Sequence, residues 1–588
     1  MLDREVFRNQ LISRRTFILA SCKGGILSAL LARMFYLQLI KGDEYQVLSD
    51  KNRISLVMIA PERGVIKDRN EIRIAENRPS FFLKLDRKQT KSYKKSLEML
   101  FDILTLEDDV KKKIYEKLKK TSYRAPINIL EDISWEQVSL IEERIYDLPG
   151  IYIESSTLRK YNYGEICSHI TGYVGKMSQE DQNEFKLSSA EFQIGKSGVE
   201  KKYEEKLQGK LGYRKIEVNA HGLYINQIEK VDSVIGETLN LNINFELQDY
   251  IHKIMDPVGS SAVVMDVRNG EIIALCSMPT FDPNEFVGGI SANYWKKLIN
   301  DPYKPLINKV TQTQYPPGST FKLITTLAAL EAGIDPSHQV FCSGHTTIGN
   351  KRFNCWFHSG HGNLDMVGAI KHSCNCYMYN IGKLIGAEKI LSVAKKFEYG
   401  KATNIDLPDE VRGFVPDRKW KLKNFKFDWS LGDSFNIAIG QGALLSTPIQ
   451  QARVIAAFAN GGKLLKPRIS NRCEAEIIDL NINPKHLEII RDGMFKVINE
   501  DGGSARGSKA LNVILAGKTG TSQVQAKKNV NDDLSRTSIK WERRNHALFA
   551  GFAPFDDPKY AISIIVDHGG GGARAAAPIA KKICEFLF

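Results

Sequence analysis

No internal repeat and no sizeable low-complexity tract runs through the 588-residue chain, so a solenoid and a disordered scaffold are both excluded. Only one long apolar run is present, near the N-terminus. Hydrophobic residues at 43% and charged ones at 26% are ordinary globular values, which argues against a polytopic membrane protein. The positive excess, 82 Lys+Arg over 68 Asp+Glu for +14, is dispersed and comes with no zinc-finger or RNA-recognition pattern. Nucleic acid is therefore not an expected partner. A chain of this length needs more than one core, and two to four units are expected.

The single apolar run is Thr16–Ile40, "TFILASCKGGILSALLARMFYLQLI", 25 residues that span ~37 Å as a helix. Lys23 and Arg33 interrupt it, each placed to snorkel toward an end. Arg4, Arg8, Arg14 and Arg15 precede it, and no A-x-A cleavage site follows, so it reads as an uncleaved anchor. The positive-inside rule then makes residues 1–15 a cytoplasmic tail, 16–40 a transmembrane anchor and everything after Lys41 extracytoplasmic.

Beyond the anchor, "GDEYQVLSDKNRISLVMIAPERGVIKDRNEIRIAEN" reads as short β pieces separated by turns at Arg63-Gly64 and Asp68-Arg69-Asn70. "LEDDVKKKIYEKLKK" and "SWEQVSLIEERIYDL" carry helical spacing with solvated charges. "IGKSGVEKKYEEKLQGKLGYRKIEVNAHG" reads as a structural connector. From Ser261 the texture changes. "SAVVMDVRNGEIIALCSMP" is a hairpin turning at Arg268-Asn269-Gly270-Glu271, and "HALFAGFAPF" and "KYAISIIVDHG" supply two more strands before a closing helix at "APIAKKICEFLF". Strands at both ends with helices between predict an α+β arrangement around an antiparallel sheet. Residues 41–235 are expected to form one β-rich unit and 236–588 a second.

In "YPPGSTFKL" a rigid turn ends on Ser319, and "TFKLITTLAALEAG" continues as a buried helix closed by Gly333. Lys322 lies three residues on, hence on the serine's own helix face. Burial lowers a lysine pKa and makes it a proton acceptor, so the pair reads as a nucleophile with its base. Alone, S-x-x-K is four letters. It is joined by Ser373-Cys374-Asn375 in "HSCNCYMYN" and by Lys518-Thr519-Gly520-Thr521 in "AGKTGTSQ", in the chain order S-x-x-K, S-x-N, K-T-G known for penicillin-recognising serine enzymes.

With these motifs, and with "RGVIKDRN", "GVEKKYEEKLQGKLG", "LGDSFNIAIGQG" and "STPIQQARVIAAFANGG", almost the whole chain resembles the class B penicillin-binding proteins. Within that family it is most similar to the elongation type, penicillin-binding protein 2. The resemblance implies the transpeptidase fold, an antiparallel sheet with helices on both faces plus an all-helical part, behind one transmembrane helix and an elongated pedestal of the dimerisation type. It implies a D,D-transpeptidase that cross-links peptidoglycan stem peptides, maintains rod shape and is acylated by β-lactams. Ser319 would be the nucleophile, Lys322 its base, Ser373 a proton relay and Asn375 a substrate clamp. Lys518, Thr519, Gly520 and Thr521 would bind the substrate carboxylate, and the N–H groups of Ser319 and Thr521 would form the oxyanion hole. A SEDS-family membrane glycosyltransferase and rod-complex scaffold proteins are the implied partners, with the catalytic domain in the periplasm on the bacterial inner membrane. A D,D-carboxypeptidase or β-lactamase is the first alternative, although no E-x-x-L-N motif lies between the second and third motifs. A silent β-lactam sensor or scaffold is the second, although no catalytic letter is missing.

Four of the nine cysteines crowd into "FCSGHTTIGNKRFNCWFHSGHGNLDMVGAIKHSCNC". An oxidising compartment favours disulfides, and four cysteines allow three connectivities. Cys342, Cys355, His361 and Cys374 also make a Cys₃His set suited to structural zinc. Elongation-type relatives that hold zinc through Asp, Asp, His and Cys align by spacing at the last three positions. The first ligand is shifted, leaving Cys342 with His345 or His358 as substitutes.

Overall fold

The computed structural model describes residues 2–41, 54–90, 92–121, 123, 126–178, 181, 193–218, 224–524 and 539–588. The first part of the extended β segment, residues 42–53, and the end of the connector, residues 219–223, lie outside the described residues. An α-helix runs over Leu2–Phe35 and continues as a π turn over Tyr36–Ile40. Its stretch Thr16–Ile40 is long and apolar enough to cross a membrane, and none of it is buried in the protein.

The chain divides into two compact units that interleave along the sequence. The smaller takes Met1–Pro61, Pro79–Ser156 and Lys210–Val234. It holds an antiparallel sheet of Ile54–Ile59, Gly212–Val218 and Tyr224–Val231, in that spatial order. The two helical runs read from the sequence fold as Asp108–Lys120 and Trp135–Glu143. A capping box of Ser134 and Gln137 starts the second. With Tyr93–Leu104 they cover a core built on Leu83, Leu97, Leu100 and Ile141. Strand Ile127–Ile133, not foreseen between the helical runs, pairs with the later part of Arg73–Leu85.

The larger unit takes Glu62–Arg78, Thr157–Gly209 and Ile235–Phe588. Its sheet has five strands: β1 (Ser260–Asp266), β2 (Ile272–Met278), β3 (Ala516–Ser522), β4 (His546–Ala553) and β5 (Tyr560–Val566). The order is β2-β1-β5-β4-β3 and every pairing is antiparallel, which leaves β3, the K-T-G strand, at an edge. Every residue of β1 and β2 is buried, so both sheet faces are covered. Pro448–Ala459 packs on β1, β4 and β5, Phe245–Ile254 on β2, and Ala577–Leu587 on β4 and β5. All twelve residues of Pro448–Ala459 are buried, and its polar members are hydrogen-bonded: Gln450 donates to Lys401 O at 2.6 Å and Arg453 Nε to Leu465 O at 2.7 Å. A separate helical group contains α1 (Lys322–Glu331), α2 (Asn375–Lys396), α3 (Leu431–Ala438) and α4 (Pro484–Asn499).

Early segments reach into this larger unit. Ile66–Lys67 pairs in parallel with Leu239–Asn240. Arg63 Nε lies 2.6 Å from Glu200 Oε2 and its Nη2 2.6 Å from Glu204 Oε2, while Arg159 Nε lies 2.7 Å from Glu200 Oε1. The connector is therefore an ionic clasp: Arg63 of "RGVIKDRN", joined by Arg159, faces Glu200 and Glu204 of "GVEKKYEEK" in one buried cluster.

Candidate active site

Gly318–Phe321 is a 3₁₀ turn that runs directly into α1. Gly318 has φ of +55°, donates to Gly440 O at 2.9 Å and has no room for a Cβ, which would come within 2.9 Å of Thr521 O. The turn thus lies against β3. Ser319 is half-buried, and its hydroxyl has no hydrogen bond to any described residue. Lys322, one turn behind, is fully buried.

Lys322 Nζ lies 2.7 Å from Ser373 O, 2.7 Å from Asn375 Oδ1 and 3.2 Å from Ser373 Oγ. A neutral amine fits this shell: two N–H groups meet the two carbonyl-type oxygens, and the lone pair faces a hydroxyl. Burial pushes the Lys322 pKa down to about 8, with the nearby cysteines acting in the opposite direction. Ser373 has φ of +53°, and Asn375 opens α2. S-x-x-K and S-x-N are brought together as the motif order predicts.

The third motif stands differently from the expectation of direct carboxylate binding by Lys518. Its side chain is fully buried, with Nζ donating to Thr519 O at 3.1 Å. Burial first, and the neighbouring Lys322 second, push its pKa well below the ordinary value. Thr519 is buried as well, and Thr521 is the most open side chain of the motif. A Cβ on Gly520 would lie 3.1 Å from Leu548 Cβ, 3.2 Å from Thr320 Cγ2 and 3.3 Å from Pro317 O, so strand and nucleophile turn are in near contact. Ser504, 3.4 Å from Thr519 Oγ1, and Trp356, whose indole reaches the S-x-N turn, were missed in the sequence. Neither belongs to a motif, and only the folded contacts reveal them.

The cysteine cluster assembles beside S-x-N. Strand Val340–Cys342 pairs with Gly362–Leu364, which sets His361 beside Cys342. Strand Lys351–Asn354 delivers Cys355, whose N–H bonds Gly344 O at 2.8 Å. The ligand atoms of Cys342, Cys355, His361 and Cys374 all lie within 4.8 Å of one another, and neither His345 nor His358 belongs to the group. Cys342 Sγ and Cys355 Sγ are 3.5 and 3.6 Å from His361 Nδ1. A tetrahedral centre with sulfur at ~2.3 Å and nitrogen at ~2.05 Å separates such atoms by ~3.5 Å. The three thiols of this set, and Cys376 beside them, are free, with no sulfur–sulfur bond. Hydrogen bonds from Cys374 and Cys376 hold the Cys355 thiol far below its ordinary value, and the Asn375 N–H reaches the same sulfur at 3.4 Å. Burial lowers His361, but its bonds to Cys355 and Cys342 outweigh that and raise it. The donor set fits a tetrahedral dication.

Residues 260–585 match the penicillin binding protein transpeptidase domain, and residues 58–241 the penicillin-binding protein dimerisation domain. The chain belongs to the penicillin-binding protein transpeptidases. It is 33% identical over 607 residues to the peptidoglycan D,D-transpeptidase MrdA of Haemophilus influenzae, covering 99% of this chain and 93% of that protein. A penicillin-binding protein, PBP2, of Helicobacter pylori, solved in complex with MreC, superposes with a TM-score of 0.81 at 31% identity, over 91% of this chain and 99% of its own. A chain of a peptidoglycan synthase complex, solved to explain how polymerization and crosslinking are coordinated, superposes with a TM-score of 0.71 at 25% identity, over 97% of each chain. As a member of this family the chain keeps all three motifs in one cleft.

Proposed function

We propose that the chain is a peptidoglycan D,D-transpeptidase of cell elongation, cross-linking stem peptides through a serine acyl-enzyme. The observation that carries this reading is the position of Lys322 Nζ between Asn375 Oδ1 and Ser373, one turn behind an uncommitted serine. Lys322 takes the Ser319 proton as Oγ bonds to the penultimate D-Ala carbonyl carbon of the donor stem. The C–N bond to the terminal D-Ala then breaks, and Ser373 passes a proton to the departing amine. An acceptor-stem amine attacks the ester, the new amide forms, and Ser319 recovers its proton. The backbone N–H groups of Ser319 and Thr521 hold the developing oxyanion, a device worth ~3 kcal/mol per donor. Thr519 and Thr521 grip the donor carboxylate from the edge strand, with Lys518 buried in the same strand. β-Lactams enter the same first half and stop at the ester. The test is peptide mapping by mass spectrometry of the full chain in detergent after exposure to a penicillin. An adduct on Ser319 that vanishes in Ser319→Ala supports the reading; an adduct elsewhere, or none on folded protein, sinks it.

Thr16–Ile40 anchors the chain, and the arginines before it leave residues 1–15 in the cytoplasm and the cleft in the periplasm. Residues 41–235 serve as pedestal and contact surface and 236–588 as the transpeptidase domain. Partners are a rod-complex scaffold protein, as in the MreC complex of the Helicobacter pylori relative, and a SEDS-family polymerase, in keeping with the synthase complex.

Cys342, Cys355, His361 and Cys374 hold one structural zinc in this reading. Bound there, the ion would supply a fixed centre that ties Cys374, and with it Ser373 and Asn375, to two neighbouring ribbons. Elemental analysis should give about one zinc per chain, lost in Cys355→Ser together with acylation. Metal-free protein with full acylation, or one carrying a Cys355–Cys374 bridge, would overturn it.

A further inference from the structure

We infer that Trp356 is a positioning residue for the catalytic lysine, acting through the Ser373 carbonyl; this rests on the transpeptidase reading of the cleft. The indole Nε1–H is shared between His372 O at 3.0 Å and Ser373 O at 3.1 Å. The same Ser373 oxygen accepts from Lys322 Nζ at 2.7 Å. A carbonyl oxygen has two lone pairs, and here one is met by the base and the other by the indole.

Ser373 needs such a clamp. Its φ of +53° is a left-handed conformation that a residue with a Cβ adopts reluctantly. That conformation presents both its carbonyl and its hydroxyl to Lys322. The lysine cannot be the only group holding the turn, because its bonds change as it takes up and releases a proton in each half-reaction. The indole N–H does not titrate and keeps the carbonyl aimed throughout the cycle. Trp356 is in turn placed by the bend that follows strand Lys351–Asn354: it comes directly after Cys355, and its ring lies 5.7 Å from Phe357 and 5.5 Å from His361. One residue therefore links the Cys–His loop to the base. A purely packing role does not account for it, since Trp356 is 53% exposed while its one polar atom is engaged below.

The test uses the full chain in detergent and two replacements. Trp356→Phe removes most of the ring and the donor; benzothienylalanine at position 356 keeps the fused ring and replaces only the N–H with sulfur. Rapid-quench acylation by a fluorescent penicillin separates the binding constant from the acylation rate constant, alongside metal content and the thermal midpoint. The expected result is an acylation rate constant about three- to tenfold lower in both variants, in line with one lost hydrogen bond. Binding should stay within about twofold, and the benzothienylalanine protein should keep the wild-type midpoint and metal content. An unchanged rate constant in that protein, or a fall matched by loss of folded protein, overturns the inference. Absence of Ser319 acylation in the wild type is a separate outcome and sinks the transpeptidase reading instead.

Discussion

Two of the places where the larger unit buries charge treat it in opposite ways. Around Arg63, Arg159, Glu200 and Glu204 each charge has a counter-charge, and Arg159 also donates to Gly64 O at 2.8 Å. Burial alone would raise the Glu200 carboxyl, yet Arg159 and Arg63 reverse that and hold it below the usual carboxylate range. Around Lys322 and Lys518 two cations are buried with no carboxylate partner among the described residues, and both are pushed toward neutrality. Paired charge makes an inert joint; unpaired charge makes a base. The difference lies in the absence of an acid, not in the depth of burial.

The largest effect expected from breaking this contrast comes from Lys322→Met. Loss of the base should lower β-lactam acylation about 10³-fold. Because the folded state holds the lysine proton less tightly than the unfolded chain, Lys322 weighs against folding at neutral pH. That penalty fades as pH climbs from about 8 toward the ordinary 10.5. Lys322→Met should therefore raise stability at pH 7 by about 1–3 kcal/mol in denaturant titrations. A variant both inactive and destabilised would contradict the account.

Next in size is Glu200→Gln, which leaves two buried guanidinium groups short of a carboxylate and should cost about 3–5 kcal/mol. Acylation per folded molecule should not change, as active-site titration of the surviving fraction would reveal. The carboxyl is depressed on folding, so its stabilisation is present above the usual carboxylate range and is lost only as pH falls through the folded value. The cleft answers to another window. Acylation should rise about tenfold per pH unit and level off above about pH 8, as Lys322 deprotonates. A profile flat from pH 6 to 9 would remove the lysine from the base's role. The smallest effect belongs to Ser504→Ala, whose bond to Thr519 is long at 3.4 Å; acylation should fall less than about threefold.

The catalytic letters were legible because each is short-range: S-x-x-K is one helical turn, and K-T-G is a contiguous motif just ahead of the two final strands. The sheet was legible for the same reason, with the Asn269-Gly270 turn placed as its sequence demands and Gly270 at φ of +80°. The cysteine cluster could be read from spacing, but choosing Cys342 over His345 or His358 required the pairing of Cys342 with Gly362. What stayed hidden was long-range. Glu200 and Glu204 sit in a run of lysines and glutamates and look solvated until Arg63 and Arg159 arrive. Lys518 looks like a surface hand for carboxylates until the sheet and Lys322 close over it. The expected break at 235/236 follows composition, whereas compactness gathers residues 62–78 and 157–209 into the larger unit.

That gathering bears on how the protein is made. If, as proposed, the residues after the anchor are exported, residue 63 would reach the far side well ahead of its counter-ions, which follow 137 and 141 positions later. The strand at Ile66–Lys67 likewise waits for Leu239–Asn240 before it has its parallel neighbour. The early segments would then emerge as an incomplete template, with an unpaired strand edge and an uncompensated guanidinium, while several hundred residues had still to follow. On the proposed orientation, export would thus carry a waiting period, and a holding chaperone at the exit would act on residues 62–78 before any part of the catalytic cleft exists.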